Sequence, residues 1–372
     1  MSTDQAVPAV RIGGRRLPAV GPARMYVCGI TPYDTTHLGH ARTFVWADVA
    51  ARALRHTVGD VRVCRNVTDV DDVLTRAADR AGSPYDSFAA VQQFYFERDL
   101  AALNVRAVTY QPRAHNHVED VVFLAQGLVE AGHGYVREGT VYFRGADVPD
   151  RAGVGGEEAL ALLEEFGDSP GDPAKDDPLD VALWRASAEG QPAWPGPWGT
   201  GRPGWHAECA AMALSTFGPA MDLHVGGADL VFPHHAYETA MAETLTDVRP
   251  FARAWLHVGV VRRDGARMAK SAGNLVLVSD LLEDHPAAAV RLMLLAAPWA
   301  SGWDYTPDAL DAAAGRLEDL RRAAGRAGAS AAAEAEAERV LLDGLDAPSA
   351  LAIAEGEGGG AARLVMGILA LA

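Results

Sequence analysis

The sequence predicts an α/β fold built on a parallel β-sheet. A short apolar segment at 24–28 is followed by a turn and by a helical pattern from Gly39 to about Val58. A second strand at 61–67, VRVCRNV, is rich in β-branched residues. It leads into a helix that starts at 68–72 with carboxylates in its first turn, where the helix dipole favours them. Strand, helix, strand and helix in succession indicate a βαβ unit and hence a parallel sheet.

Polar residues gather where the first predicted helix begins. The segment 25–44 reads MYVCGITPYDTTHLGHARTF, and His37 and His40 stand three positions apart in it. Unpaired N–H groups at a helix N-terminus attract phosphate. Two histidines at this spacing are more often ordinary surface or core residues. Here, however, Cys28 precedes them at the end of a strand, in a chain with only three cysteines.

Composition limits the classes of function. The 372 residues carry a formal net charge of −16, which argues against a broad basic surface for nucleic acid, although a local patch could still hold RNA. Three cysteines are too few for a disulfide framework. No apolar run approaches the ~18 residues of a membrane span. We therefore expect a cytoplasmic protein without membrane contact, and we expect a monomer.

The chain is predicted to have three regions. Residues 1–23 form a loose lead-in, residues 24–300 the main α/β domain with an insertion at about 105–195, and residues 301–372 a small helical domain. Helical patterns cover 84–103 and 118–131, a hairpin or edge strand lies near 139–144, and 167–175 is a Pro/Gly/Asp-rich loop. From Pro307 the chain is helical, with a break near 325–329 and a flexible joint at 355–360.

The α/β pattern resumes at Gly204. We predict a helix at 205–214, a strand at 221–225 and a turn at 226–229. The next helix should run from Pro233, which suits a first helical position, to about Leu245. A strand at 255–261, a polar loop at 267–274 and a buried helix at 287–296 complete this half.

Four residues that are far apart in the sequence form a candidate zinc site: Cys28, Cys209, His234 and Glu238. Zinc prefers thiolate and imidazole, with an occasional carboxylate. His234 and Glu238 are four positions apart on a predicted helix, so both should point to one face. The alternative is two buried cysteines and a capping histidine. Cys64 is expected to be a core residue, whereas His206 and His235 lie near enough to be mistaken for ligands.

Two loops carry weaker signals for a nucleotide. The turn at 226–229 follows a strand and would let a planar ligand approach the backbone, although such a sequence alone is more often a simple turn. The loop at 267–271 contains Lys270, which could neutralise a leaving phosphate, although such a loop alone is more often just solvated.

Taken together, these segments resemble a known family. Six motifs occur in one order: CGIT at 28–31, HLGH at 37–40, NVTDVDD at 66–72, GWHAEC at 204–209, GGADLVFPHH at 226–235 and MAKSAGN at 268–274. In this order they look like the class I cysteine-activating enzymes, namely cysteinyl-tRNA synthetase and the mycothiol-pathway ligase that joins cysteine to glucosaminyl-inositol. The resemblance covers roughly residues 24–300. It implies a class I synthetase Rossmann-like domain that makes cysteinyl-adenylate from L-cysteine and ATP with Mg²⁺, with a zinc ion holding the substrate thiolate.

The resemblance also implies roles for single residues. Zinc would be held by Cys28, Cys209, His234 and, as in the synthetase, Glu238. The cysteine, the adenylate and the adenosine would be held by Gly29, Ile30, Thr31, Thr43, Asn66, Val67, Thr68, Trp205, Gly227, Ala228, Asp229 and Val261. His37, His40 and Lys270 would act at the phosphates. Lys270 belongs to the second signature loop, which comprises Arg267, Met268, Ala269, Lys270 and Ser271.

The resemblance leaves the acceptor open. The segments at 28–32, 36–40 and 165–175, together with an early end after the core, are similar to the mycothiol ligase and favour a small amine acceptor. Glu238 and HARTF at 40–44 are similar to the synthetase, so a tRNA acceptor is the second hypothesis. Arg267 and Ala269 stand where the family usually has Lys and Ser. A cysteine- or nucleotide-binding module without turnover is the third hypothesis.

Overall fold

The strands and helices alternate along most of the chain. The computed structural model describes residues 8–17, 20–33, 36–268, 272–328 and 330–372. Its strands are β1 Arg11–Ile12, β2 Arg15–Arg16, β3 Ala23–Ile30, β4 Val61–Val67, β5 Gly134–Arg137, β6 Thr140–Phe143, β7 Val181–Ala186, β8 Gly201–Pro203, β9 Met221–Gly227, β10 Ala252–Val258, β11 Val261–Arg263, β12 Ala266–Arg267 and β13 Trp303–Tyr305.

Fourteen α-helices lie within the described residues. They are α1 Leu38–Val58, α2 Asp72–Ala81, α3 Tyr85–Ala102, α4 Val118–Glu130, α5 Val148–Ala152, α6 Gly156–Glu165, α7 Trp205–Phe217, α8 Ala236–Thr246, α9 Val278–Asp284, α10 Ala287–Leu295, α11 Pro307–Ala324, α12 Ala331–Leu342, α13 Ala347–Glu357 and α14 Gly359–Leu369. None of the helices in this part of the chain is long and apolar enough to cross a membrane.

A four-stranded parallel sheet organises the molecule, in the order β10-β9-β3-β4. The predicted α/β fold with a parallel sheet and a helical C-terminal region is therefore confirmed. After β3 the chain moves to one side, to β4, whereas β9 and β10 lie on the other side. Ligands of open α/β sheets bind at such a change of direction, beyond the carboxyl ends of the strands. Here those ends are Ile30 on β3 and Gly227 on β9.

The insertion forms its own layer beside the parallel sheet. Strands β5 to β8 make an antiparallel sheet in sequence order, and their apolar side chains pack with those of α4 and α7 around the fully buried Trp184. A third, small sheet has the order β12-β11-β13 and carries Val261 and Arg267.

The C-terminal helices continue the main core. Leu310, Leu341 and Leu369 are buried in the same cluster as Val27 and Phe44 of the α/β region. The guanidinium of Arg291 on α10 is fully buried and donates to the carbonyl of Leu369 at 2.6 Å. The helical region is therefore packed against the α/β domain through apolar surface.

The lead-in is not loose where it is described. Residues 11–16 form the hairpin β1–β2, and Val10, Ile12 and Leu17 are buried in the main core. Three buried apolar side chains, one within the hairpin and one at each of its ends, anchor it to the core. The expectation of a loose segment was wrong for these residues.

Two predicted element boundaries need correction. The helix expected at Pro233 begins at Ala236, because Phe232 has an extended backbone inside the turn Val231–His235. The strand expected at 255–261 starts at Ala252 and ends at Val258, so Val261 belongs to the separate strand β11.

The glycine-rich segment at 355–360 is the junction between α13 and α14, with its last three residues buried, rather than a flexible joint. Gly359 has a φ of 53° and begins α14, and a Cβ there would lie 2.1 Å from the carbonyl oxygen of Gly328. Glycine is therefore required for close packing at this point, not for mobility.

Candidate active site and metal centre

Two cysteines and a histidine meet at the carboxyl end of the parallel sheet. Cys28 lies on β3 at an irregularity in the pairing with β4, Cys209 lies in the first turns of α7, and His234 lies in the turn before α8. All three are buried, and their Sγ and imidazole nitrogen atoms lie within 4.8 Å of one another. Two thiols and one imidazole are a donor set that suits zinc. The residues fit the metal that the sequence predicted.

The surroundings favour a thiolate at Cys209. A hydrogen bond from Cys28 lowers the pKa of Cys209 to about 6, against the effect of burial, and His234 contributes in the same direction. Burial raises the pKa of Cys28 well above its usual value, so Cys28 is the proton donor of the pair. The side-chain amide of Asn66 also donates to Cys209 Sγ at 3.3 Å. A buried thiolate needs a partner of opposite charge, and a metal cation would be such a partner.

Glu238 belongs to a second set that shares Cys28. Its carboxylate lies 3.0 and 3.1 Å from Nε2 of His224, and His235 Nε2 lies 3.3 Å from Cys28 Sγ. The ligand atoms of Cys28, His224, His235 and Glu238 also lie within 4.8 Å of one another, and all four residues are buried. The structure thus brings Glu238 to the centre but pairs it with a histidine.

Sequence reasoning missed His224. It lies on β9, is fully buried, and stacks against Trp255 with ring centroids 4.3 Å apart. Its signal in the sequence is faint: one histidine between apolar residues in a strand, MDLHVGG. Only the sheet order, which sets β9 beside β3, shows that it faces Cys28 and Glu238.

A column of aromatic rings leads from His234 towards the surface. Trp205 stacks on His234 with centroids 4.2 Å apart and planes 23° apart, and Phe166 stacks on Trp205 at 5.8 Å and 17°. His234 is buried, whereas Trp205 and Phe166 are half-buried. His206 lies behind the column, with Nδ1 3.0 Å from His234 Nδ1. His206 supports the candidate ligand His234 and is not in the candidate metal sets.

The first signature begins α1 as predicted. His37 is the N-cap, and its Nδ1 accepts a hydrogen bond from the backbone N–H of Gly39. The His40 ring stacks on that of His37, 3.9 Å away. Burial and then the charge of Arg267 lower the pKa of His40 to about 4. Both imidazoles therefore stand at a positive helix end, with His40 neutral at pH 7.

Gly29 and Asn66 hold the strand ends together. The N–H of Gly29 donates to Asn66 Oδ1 at 2.8 Å, and a Cβ on Gly29 would lie 1.7 Å from the Asn66 carbonyl oxygen. Asn66 also donates to the hydroxyl of Thr68 at 3.1 Å. The other residues predicted for the cysteine and adenylate lie at the carboxyl edge or the small sheet: Ile30, Thr31, Thr43, Val67, Gly227, Ala228, Asp229 and Val261.

The second signature loop is only partly within the described residues. Arg267 ends β12, pairs with Asp229, and lies 3.3 Å from Glu165 at the end of α6. Met268 is buried. Ala269, Lys270 and Ser271 lie outside the described residues. The contacts of Arg267 join three parts of the chain: the loop, the end of β9 and the insertion.

Comparisons with known proteins show the family to which the chain is similar. The family described as tRNA synthetases class I (C) catalytic domain matches residues 19–315. The L-cysteine:1D-myo-inositol 2-amino-2-deoxy-alpha-D-glucopyranoside ligase of Mycolicibacterium vanbaalenii is 43% identical over 356 residues, which are 92% of this chain and 83% of the relative. The cysteine–tRNA ligase of Halorhodospira halophila is 42% identical over 327 residues, which are 88% of this chain and 71% of the relative.

A solved structure shares the fold. Mycobacterium tuberculosis methionyl-tRNA synthetase in complex with methionyl-adenylate superposes with a TM-score of 0.65 at 19% identity, over 95% of this chain and 82% of that chain. At that identity the likeness concerns the fold alone. Because the family match spans most of the chain, and relatives more than two-fifths identical align over nearly all of it, the chain belongs to the class I (C) tRNA synthetase catalytic-domain family.

Proposed function

We propose that the protein activates L-cysteine with ATP and transfers the cysteinyl group to the amine of a small acceptor, with glucosaminyl-inositol as the leading candidate. The observation that carries the proposal is the meeting of Cys28, Cys209 and His234 beside the first signature at the carboxyl edge of the sheet. The named activity of the ligase relatives supports the acceptor, since this chain aligns with 83% of one and 86% of another.

Selection of cysteine rests on the two thiols and the imidazole. Cysteine and serine differ by sulfur for oxygen, and an apolar pocket separates such isosteres poorly. A zinc ion bound by Cys28, Cys209 and His234 would supply a soft Lewis acid that prefers thiolate to hydroxyl. Trp205, stacked on His234, would form the wall against which the substrate side chain lies.

Formation of the adenylate requires stabilisation of phosphate charge. The substrate carboxylate attacks the α-phosphorus, and negative charge grows on the phosphoryl oxygens and the departing pyrophosphate. His37 and His40 lie at the positive N-terminal end of α1, and their imidazole N–H groups would donate hydrogen bonds to these oxygens. Lys270 and Mg²⁺ complete the proposed set. The role of Lys270 rests on its sequence motif.

Pyrophosphate exchange tests the activation step. We expect cysteine to drive exchange of pyrophosphate into ATP at least about a hundred-fold faster than serine, as a metal-selected thiolate requires. Equal rates would contradict the role of the metal centre. Lys270→Ala should slow exchange far more than it weakens cysteine binding. An unchanged exchange rate would remove Lys270 from the proposal.

A tRNA acceptor is the second candidate. Relatives named cysteine–tRNA ligase support it, although this chain aligns with only 71% and 65% of the length of two of them. Mass spectrometry of products formed with ATP, cysteine and either glucosaminyl-inositol or tRNA decides between the two. We also propose that the protein is a monomer and that it works in the cytoplasm, and the three free cysteines support the cytoplasmic location.

A further inference from the structure

The end of α6 forms a rim next to the candidate metal centre. Phe166 caps this helix and stacks on Trp205, which stacks in turn on His234. The metal-binding set is buried, whereas the two outer rings are half-buried, so the column connects the centre to the surface. A group placed on the outer face of Phe166 would lie two rings away from a thiol held at the metal.

The charges beside this column favour a cation. Glu165 and Asp229 lie on either side of the guanidinium of Arg267, which contacts both carboxylates. Glu165 is 57% exposed and Asp229 27% exposed at the side chain, so both can be reached from solvent. Two carboxylates and one guanidinium give this rim a net negative charge. The rim already binds one nitrogen cation, the guanidinium of Arg267.

Aromatic faces and carboxylates together recognise amines. A protonated amine is attracted to the face of an aromatic ring and forms charge-assisted hydrogen bonds with carboxylates. The apolar face of a sugar ring would lie against the half-buried ring of Phe166, while the polar groups of the sugar would meet Glu165. Neither Phe166 nor Glu165 was among the residues that the sequence assigned to cysteine, ATP or zinc.

We propose that Phe166 and Glu165, at the carboxyl end of α6, form the acceptor subsite and select a small amine-bearing polyol for the transfer step. In that step the amine first loses its proton to solvent, and the neutral nitrogen then attacks the carbonyl carbon of cysteinyl-adenylate. The C–N bond forms as the C–O bond to the phosphate breaks, so AMP leaves and the nitrogen gives its second proton to solvent. This inference rests on the proposed function, since it names the place that its acceptor occupies. The insertion would then provide acceptor specificity, while the parallel sheet provides activation. This division predicts that the two half-reactions can be separated by mutation.

The experiment compares two rates in the same full-length variants. Pyrophosphate exchange measures activation and needs no acceptor, whereas formation of cysteinyl-glucosaminyl-inositol measures transfer. For Phe166→Ala and Glu165→Gln we expect transfer to fall at least about ten-fold more than exchange, with the loss mainly in KM for glucosaminyl-inositol. Phe166→Tyr keeps the ring and should restore most of the transfer rate.

Matched controls come from the same region. Phe123→Ala removes an exposed aromatic ring on α4, and Glu164→Gln removes the neighbouring exposed carboxylate on α6. Both should leave the two rates unchanged, and circular dichroism melting shows whether each variant is folded. Equal losses of exchange and transfer in Phe166→Ala and Glu165→Gln, or no loss of transfer, would overturn the subsite.

The result also separates the two levels of the proposal. If the wild-type protein forms no product with glucosaminyl-inositol, the proposed acceptor is wrong and the subsite for it is rejected with it. If the wild-type protein forms the product and the variants of α6 behave like their controls, the function stands and only the subsite is rejected.

Discussion

The guanidinium of Arg42 donates a hydrogen bond to the carbonyl oxygen of Gly259, 3.0 Å away. It also donates to the carbonyls of Ser301 and Pro298, at 2.8 Å each, and the side chain is fully buried. Arg42 lies two residues after His40 on α1, whereas Gly259 follows the last residue of β10. One side chain therefore fixes the first signature against the strand end that leads to β11.

Replacement of Arg42 by Met should destabilise the protein. The buried carbonyl of Gly259 and the carbonyl of Ser301 would lose this donor, whereas the carbonyl of Pro298 keeps the N–H of Ser301. A buried group left unsatisfied costs about 1–3 kcal/mol. Because the loop can relax, we expect the free energy of unfolding to fall by about 2–4 kcal/mol, measured by urea denaturation. Arg42→Lys should recover little, because an ammonium group lacks the planar fork that reaches several acceptors.

The control for this variant is Arg322→Met on α11, whose side chain is 77% exposed. It should change the free energy of unfolding by less than about 0.5 kcal/mol. A loss of similar size in both variants would contradict the positioning role of Arg42. In the absence of urea, where the variant is still folded, Arg42→Met should also slow pyrophosphate exchange. The reason is that the end of β10 is no longer fixed against α1.

The sequence predicts elements best where local chemistry is unambiguous. The strand β4 has the predicted bounds because three of its seven residues are β-branched valines, at 61, 63 and 67, and because Gly59 ends the helix before it. The start of α8 was missed because Pro233 is compatible with a first helical turn, yet the extended backbone of Phe232 interrupts the helix there.

The candidate site is predictable only in part, for a different reason. The six ordered motifs resemble those of the cysteine-activating enzymes, and this resemblance indicated Cys28, Cys209 and His234. The fold brings these three residues together. The contact between His224 and Glu238 depends on how β9 lies against α8, which no local pattern encodes. The stacking of Phe166 on Trp205 likewise joins the insertion to α7, two segments that only the tertiary fold makes neighbours.

Cys209→Ser should remove the bound metal. We expect purified wild-type protein to carry about one zinc per chain, since a buried pair of thiols with an imidazole is a strong donor set. Serine keeps the size of the side chain but is a poor zinc ligand at neutral pH. Elemental analysis by mass spectrometry after exhaustive dialysis measures the metal content.

Cys64→Ser provides the comparison for that experiment. Cys64 is also fully buried, but its Sγ contacts the hydroxyl of Thr216 at 3.8 Å and it is in neither candidate metal set. This variant should keep its zinc. Wild-type protein without zinc, or equal zinc in Cys209→Ser and the wild type, would refute the assignment.

Glu238→Gln distinguishes a ligand from a supporting residue. In the structure the carboxylate holds Nε2 of His224 and lies within reach of Cys28. If Glu238 lies behind the ligand Cys28 and does not bind the metal itself, the amide should weaken zinc affinity by about 10- to 100-fold without abolishing it, as is typical of residues behind the ligands. Competition with a chromophoric chelator measures this affinity.

Glu243→Gln is the control for this titration. Glu243 is a buried carboxylate on the same helix and belongs to neither metal set. Its affinity for zinc should match the wild type. Complete loss of zinc in Glu238→Gln, equal to that in Cys209→Ser, would instead make Glu238 a ligand in its own right.

Acid should destabilise the protein partly through His40. Burial lowers the pKa of His40 to about 4, against about 6.5 in an unfolded chain. Between these values the unfolded state binds more protons, so the free energy of unfolding rises with pH across this window and is lost as the pH falls from about 6.5 to about 4. In His40→Gln this dependence should weaken by at most about 1.4 kcal/mol per pH unit, the limit for one proton.

Urea denaturation at several pH values between 4.5 and 7.5, in steps of about half a unit, measures this slope. His133→Gln is the matched control, because His133 is exposed in the turn after α4 and its replacement should leave the slope unchanged. Part of the wild-type slope should remain in His40→Gln, because burial also lowers the pKa of His257 to about 4. A slope in His40→Gln equal to that of the wild type would mean that His40 is protonated alike in the folded and unfolded states, which would contradict the lowered pKa of His40.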